Sequence, residues 1–182
     1  CEAGSRLFVH EDVVGDPLNE ETDLGPKVSR EQVDRTLEYL AAAKDEGGEF
    51  LVGGGRPDDE TLAEGCYVEP TLIDGLEHGS AAAQEEIFGP VLTVFRWDDY
   101  DEMMDLANDV DYGLAGGVIT DDISQANTTA RDIEAGYIWV NSYHDLVPGL
   151  PFGGYKQSGI GREVSAQTLE QYRQTKTINL SL

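Results

Sequence analysis

The 182-residue chain is poor in lysine, cysteine, methionine and tryptophan. It has four lysines among twelve basic residues, two cysteines, two methionines and two tryptophans. Against the basic residues stand 36 acidic ones, for a net charge of −24. A surface so short of positive charge repels nucleic acid and anionic lipid, which excludes both as partners. It also opposes compaction by self-repulsion, an effect that dense salt screens, because the Debye length falls to ~3 Å at 1 M. The balance fits a halophilic cytoplasm, with an acidic protein of an ordinary cytoplasm as the alternative. Cys1 and Cys66 cannot build a disulfide framework, and no run is apolar enough to span a membrane. With no signal peptide in view, the cytoplasm is the default compartment. His10, His78 and His144 are scattered without metal-ligand spacing, so no metal is assigned.

What is present is an even spread of aliphatic and aromatic residues, enough for about one domain with a real core. Strand and helix patterns alternate. Leu7–His10 reads as a short strand. Ser29 and Gln32 form an S-x-x-Q capping box ahead of a helix whose Val33, Leu37, Leu40 and Ala41 share one face. Phe50-Leu51-Val52 is a strand ended by Gly53-Gly54-Gly55, and Asp58–Glu64 is a solvated loop. Val91–Trp97 is a buried strand, and Asp98 and Asp99 favour the start of the next helix, whose dipole accepts negative charge. A strand at Gly117–Thr120 precedes a helix over Asp122–Ile133 with Ile123, Ala126, Ala130 and Ile133 on one stripe, and Tyr137–Val140 is the next strand. Successive β-α-β units predict an α/β fold, mainly a parallel sheet with helices on both faces. In Thr177–Leu182 apolar and polar residues alternate strictly, the mark of a strand with one buried face. Such a strand closes its own domain or pairs with another chain.

Three segments carry candidate chemistry: Cys1-Glu2-Ala3-Gly4-Ser5-Arg6-Leu7-Phe8-Val9, Glu85-Glu86-Ile87-Phe88-Gly89-Pro90-Val91, and Pro151-Phe152-Gly153-Gly154-Tyr155-Lys156-Gln157-Ser158-Gly159-Ile160-Gly161-Arg162-Glu163. Taken alone, each has a plain reading. The first is a cysteine followed by small residues. The second is a helix-to-strand corner where Gly89-Pro90 stops a helix and Phe88 is ordinary core. The third is glycine-rich without the Walker spacing, and its glycines permit tight turns. Cys66 is a small buried or half-buried residue near a strand start.

Together, in this order and spacing, the three segments resemble the aldehyde dehydrogenase superfamily. The resemblance covers almost the whole chain and implies the C-terminal part of a catalytic domain, starting at the catalytic cysteine. Residues 1–165 then belong to that domain, and residues 166–182 to a helix end and an oligomerisation strand. It implies Cys1 as nucleophile: a thiolate adds to an aldehyde, the thiohemiacetal expels hydride to a nicotinamide ring, and water hydrolyses the thioester. It implies NAD or NADP as cofactor, with Glu86 accepting hydrogen bonds from the nicotinamide ribose and Phe88 packing beside the ring. Gln32 and Arg35 match positions that approach the cofactor in some poses, with solvated helix residues as the plain alternative. Glu2, Asn141, Leu146 and Phe152 match positions near the aldehyde. Lys156 and Arg162 have packing or surface roles. The implied partners are an aldehyde substrate and further copies of the chain, as a dimer or tetramer.

The chain departs from the family pattern in two ways. The general-base glutamate, the oxyanion asparagine and the dinucleotide domain all precede the cysteine in such enzymes, so these 182 residues are expected to be inactive without an N-terminal portion. Between Asp12-Val13 and Val14-Gly15 the family usually carries a further helix of roughly four to five turns. These departures favour, as the alternative, a non-catalytic, self-associating remnant. A thiol hydrolase pairing Cys1 with His10 or His144 is the third reading, with no recognisable pairing to support it.

Overall fold

The computed structural model describes residues 24–182, which form two compact units meeting in sequence between Trp97 and Asp98. The expected strand at Leu7–His10 lies outside the described residues.

The first unit opens with α1, Arg30–Asp45. Ser29 is in extended backbone and its side chain accepts the amide of Gln32 at 3.2 Å, which satisfies one of the orphan donors of the first turn. The return half of the expected capping box is not made, because the Gln32 side chain reaches the carbonyls of Ile87 and Phe88 instead. The buried face runs through Val33, Thr36, Leu40 and Ala43, with Leu37 half-buried and Ala41 exposed. Thr36 belongs on that apolar face because its hydroxyl donates to the Gln32 carbonyl at 2.8 Å. A satisfied hydroxyl can be buried, so the true stripe differs from one drawn through apolar residues alone.

Three strands follow: β1 (Glu49–Val52), β2 (Thr71–Asp74) and β3 (Val91–Val94). β2 is central, antiparallel to β1 and parallel to β3. The β2–β3 pair is parallel, as in the expected mainly parallel sheet, and β1 adds an antiparallel edge to it. β1 and β2 are joined by a surface excursion and not by a covering crossover helix, which leaves the antiparallel direction open to them. Gly53 allows that exit: its φ is +65°, and a Cβ there would lie 2.2 Å from the Pro70 carbonyl. The acidic stretch holds one helical turn, α2 (Glu60–Ala63), where a plain loop is expected; Asp59 caps it by accepting the Thr61 amide at 2.7 Å. A second single turn, α3 (Ala81–Gln84), precedes β3. β3 stops at Val94, short of the expected Trp97, and Phe95 and Trp97 are exposed. The core joins Val33, Leu40 and Ala43 of α1 to Val68, Ile73, Leu76, Ala82 and Ile87, with Cys66 half-buried against it. Each buried Val, Leu or Ile among them contributes about 1.5–3 kcal/mol by leaving water.

The second unit begins with α4, Tyr100–Asn108, whose N-cap Asp99 accepts the Glu102 amide at 2.9 Å. β5 (Ala115–Val118), α5 (Ile123–Asp132) and β6 (Tyr137–Val140) form a parallel β-α-β unit, with Gly116 opposite Ile138 and Gly117 opposite Trp139. Asp122 caps α5 by accepting the amides of Ser124 and Gln125 at 2.7 and 3.1 Å. On α5, Ala126 and Thr129 are buried, Ala130 and Ile133 half-buried, and Ile123, expected on the same stripe, is 72% exposed. β4 (Tyr112–Gly113) pairs antiparallel with β7 (Tyr155–Lys156) in a separate two-stranded ladder. Gly136, just before β6, sits so close to the glycine-rich segment that a Cβ would fall 1.7 Å from the Gly153 carbonyl. β5 lies two residues ahead of the expected Gly117–Thr120 strand because the Asn141 side chain takes the Thr120 amide and ends the ladder. After α6 (Ala166–Gln171), the tail forms no strand among the described residues. Ile178, Leu180 and Leu182 are exposed there; a strand needs a ladder partner, and none of the described residues supplies one.

Candidate functional site

In the first unit the candidate residues converge on the corner from Glu85 to Pro90, between α3 and β3. Ile87 is buried in the core, while its neighbours Glu86 and Phe88 are exposed. Phe88 is not core, as the plain reading of the corner has it: its ring is 52% exposed. It also adopts φ +56°, a left-handed conformation that costs a non-glycine residue roughly 1–3 kcal/mol.

The neighbouring face of α1 holds the corner in that conformation. The Gln32 side-chain amide donates to the carbonyls of both Ile87 and Phe88, each at 3.1 Å. Arg35 donates to the Glu86 carbonyl at 3.4 Å. Tyr39 donates its hydroxyl to the Glu85 carboxylate at 2.6 Å. Gly89 permits the close approach, since a Cβ would lie 2.9 Å from the Thr36 side chain. The amine of Lys27 lies 6.0 Å from the Phe88 ring centre, within reach of a cation–π contact, and burial pushes its pKa below the ordinary lysine value. The Tyr39 phenol first, and the Glu85 and Glu86 carboxylates after it, hold the Arg35 guanidinium above its ordinary pKa.

Four predicted residues thus come together here: Gln32, Arg35, Glu86 and Phe88. The two from the helix touch the corner's backbone, and the two from the corner point outward. Tyr39 was not among the predicted site residues. Its signal was available, because positions 32, 35, 36 and 39 fall on one helical face.

In the second unit, Asn141 ends β6 with φ +53°, its amide bonded to the Val118 carbonyl at 2.8 Å and its side-chain oxygen to the Thr120 amide at 2.9 Å. It locks the exit of the β-α-β unit. Phe152 is half-buried, 5.6 Å from the Tyr137 ring, and its backbone exchanges two hydrogen bonds with Glu163 at 3.0 and 2.7 Å. Tyr137 in turn lies 4.9 Å from Trp139, whose indole donates to the Asp145 carbonyl at 2.9 Å, next to the half-buried Leu146. Phe152 thus lies against the first residue of β6, Asn141 follows its last, and Leu146 adjoins the Asp145 carbonyl bonded to Trp139. Lys156, an exposed residue, pairs with Glu134 at 2.8 Å, and the half-buried Arg162 donates to the carbonyls of Gly154 and Gly161.

The glycine-rich segment uses its glycines differently from the expectation of tight turns. Gly153 and Gly154 have ordinary backbone angles but no room: a Cβ would meet the Gly161 carbonyl at 2.1 Å and the Ser158 side chain at 2.4 Å. Of its glycines only Gly159 has a positive φ, and the non-glycine Lys156 adopts one too, at +49°. Cys1 and Glu2 lie outside the described residues. Among the described residues no group of three or more His, Cys, Asp or Glu side chains is arranged to hold a metal, and no helix is long and apolar enough to cross a membrane.

The three segments and this α/β architecture define a class, and comparison with known proteins shows the same one. The chain belongs to the aldehyde dehydrogenase family, whose sequence pattern matches residues 1–178. The whole chain matches the betaine aldehyde dehydrogenase of Brucella anthropi at 39% identity over 198 residues, which is 41% of that protein. A crystal structure of betaine aldehyde dehydrogenase from Staphylococcus aureus in complex with NAD+ is similar at a TM-score of 0.85 and 41% identity, covering 89% of this chain and 32% of that one. A structure of PnpE in complex with nicotinamide adenine dinucleotide is similar at 0.84 and 42%, covering 88% and 33%. The chain therefore spans about two-fifths of the curated relative and a third of each solved one. The matched stretch of 198 residues also exceeds the 182 of this chain by about the length of one helix.

Proposed function

We propose that this chain supplies the nucleophile and the nicotinamide-ribose site of an NAD(P)-dependent aldehyde dehydrogenase that oxidises an aldehyde to a carboxylic acid. The observation that carries the proposal is the outward-facing pair at the corner. Glu86 is exposed, and none of the described side chains hydrogen-bonds its carboxylate; beside it the Phe88 ring stands free of the core. A carboxylate accepts two hydrogen bonds at once, which fits a vicinal diol, and a projecting aromatic ring fits a flat heterocycle. The residues present therefore fit a dinucleotide, and both structures named above were solved with NAD+. When bound, that group accepts the hydride.

The work of the chain's own residues follows from their chemistry. Cys1 is the soft nucleophile that captures the carbonyl carbon. A structure of the S. aureus enzyme with a cysteine modified by BME is in keeping with a reactive thiol in that relative. Glu86 holds the ribose, Phe88 limits how far the ring travels, and the α1 face keeps both aimed. Phe152 and Leu146 border the aldehyde, with Asn141 fixing the turn that presents them. The compartment is the cytoplasm, and the acidic surface suits high salt. Turnover by the 182 residues alone is not expected, because the general base precedes the cysteine in this family.

The test mixes the purified chain with NAD+ or NADP+ and an aldehyde series that includes betaine aldehyde, reading reduced cofactor. The chain alone gives none, and joining it to the N-terminal part of a relative restores turnover that Cys1→Ser abolishes. Full turnover by the Cys1→Ser form would overturn the assignment.

One observation favours the remnant reading: the match to the Brucella enzyme runs over 198 residues against 182 in this chain, in keeping with the helix that the family resemblance implies to be missing after Val13. On that reading the exposed Ile178, Leu180 and Leu182 pair with a second copy. A mass in solution that stays monomeric with and without residues 178–182 would remove it.

A further inference from the structure

Two carboxylates stand next to each other at the corner, and only one can serve a diol. The structure separates them. Glu85 accepts the Tyr39 hydroxyl at 2.6 Å, a short bond to an ionised acceptor, whereas Glu86 has no such bond among the described residues. Tyr39 is half-buried and packed on the core, with Arg35 5.8 Å from its ring. Its ring is thus held on the core while its hydroxyl reaches Glu85 at the surface.

We propose that Tyr39 is a positioning residue: by binding Glu85 to α1 it decides that Glu86, and not its neighbour, is presented to a vicinal-diol ligand. Three consecutive anchors from one helix face then fix the register of the corner: Tyr39 on Glu85, Arg35 on the Glu86 carbonyl, and Gln32 on the carbonyls of Ile87 and Phe88. Loss of the first anchor lets Glu85 swing out, and a second negative charge then competes for the same hydroxyls. The inference rests on Glu86 being the ribose ligand, as proposed above.

Tyr39→Phe removes only the hydroxyl and keeps the ring on the core. On the 182-residue chain, amide hydrogen exchange at Glu86–Phe88 should quicken by about tenfold, the loss of a hydrogen bond to a charged group. Glu85→Gln should do much the same, and the double variant no more than either alone, because both break one bond. Unchanged exchange in Tyr39→Phe, or additive effects, overturns the proposal. In the form joined to an N-terminal part, Tyr39→Phe should raise the KM for NAD+ about tenfold with kcat nearly constant. Glu86→Gln separates the two levels of the argument. If it raises that KM while Tyr39→Phe does not, the positioning role is wrong; if it leaves that KM unmoved, the ribose assignment itself fails.

Discussion

The corner at 85–90 and the segment at 151–163 are both irregular, yet they are held in opposite ways. The corner is fixed from outside, by side chains of α1 that reach over to backbone carbonyls. The glycine-rich segment is fixed from within, by backbone packed against backbone and by the paired bonds between Phe152 and Glu163. A structure held by side-chain anchors can be tuned one bond at a time. One held by close backbone approach tolerates no added atom, since interiors have no slack for a methyl group. The left-handed Phe88 is possible in the first arrangement because three anchors share the cost of its strain.

The comparison can be broken first at the core beneath the corner. Ile73→Ala, in the middle of β2 and fully buried, should cost about 2–5 kcal/mol and speed amide exchange at the Ile87 corner, measured by denaturant unfolding and by exchange. Next, Gly153→Ala should cost about 1–3 kcal/mol by overpacking against the Gly161 carbonyl, with exchange rising at Phe152 and Glu163, the pair it would push apart. A smaller loss of about 1 kcal/mol is expected for Ser29→Ala, which unties the first turn of α1 but leaves Gln32 free to reach the corner. Cofactor-linked behaviour should then change less in Ser29→Ala than in Tyr39→Phe, although both lie on one helix. The smallest effect is an acid one. The Thr61 hydroxyl and then its amide hold the Asp59 carboxyl below the ordinary aspartate pKa. The stabilisation is therefore present above that ordinary value, about 3.9, and is lost as the pH falls through the lower folded one. Exchange at Thr61 and Leu62 should quicken over that acid range, while the amides around Ile87, whose carbonyl is held by Gln32, change less.

How much of this was legible in the residues follows from what each position had to show. α1 announced itself through Ser29 and its period, but Thr36 disguised the buried face because only the structure reveals that its hydroxyl is bonded back to Gln32. β6 was legible to the residue, since Tyr137, Ile138, Trp139 and Val140 are all strand formers. β5 was misplaced because Ala115-Gly116-Gly117 has almost no side chain to pattern, and its end is set by Asn141, more than twenty positions on. The parallel pairs β2–β3 and β5–β6 fit the mainly parallel sheet read from the alternation, whereas the antiparallel direction of β1 depends on the route of its connection, which periodicity does not encode. Of the site, the outward pair Glu86 and Phe88 came from resemblance. The helix that aims them could have come from spacing alone. The alternation at 177–182 was visible too, but a ladder requires a second strand, and no local pattern names its source.

Gly136 carries one more consequence. It bears no reactive atom, yet even a single methyl there would have to occupy the space of the Gly153 carbonyl. A saturation screen scored by turnover would therefore rank this position with the nucleophile. Such a ranking would report a spatial exclusion between two stretches of main chain, and a survey that equates intolerance with chemistry would draw the reaction centre in the wrong place.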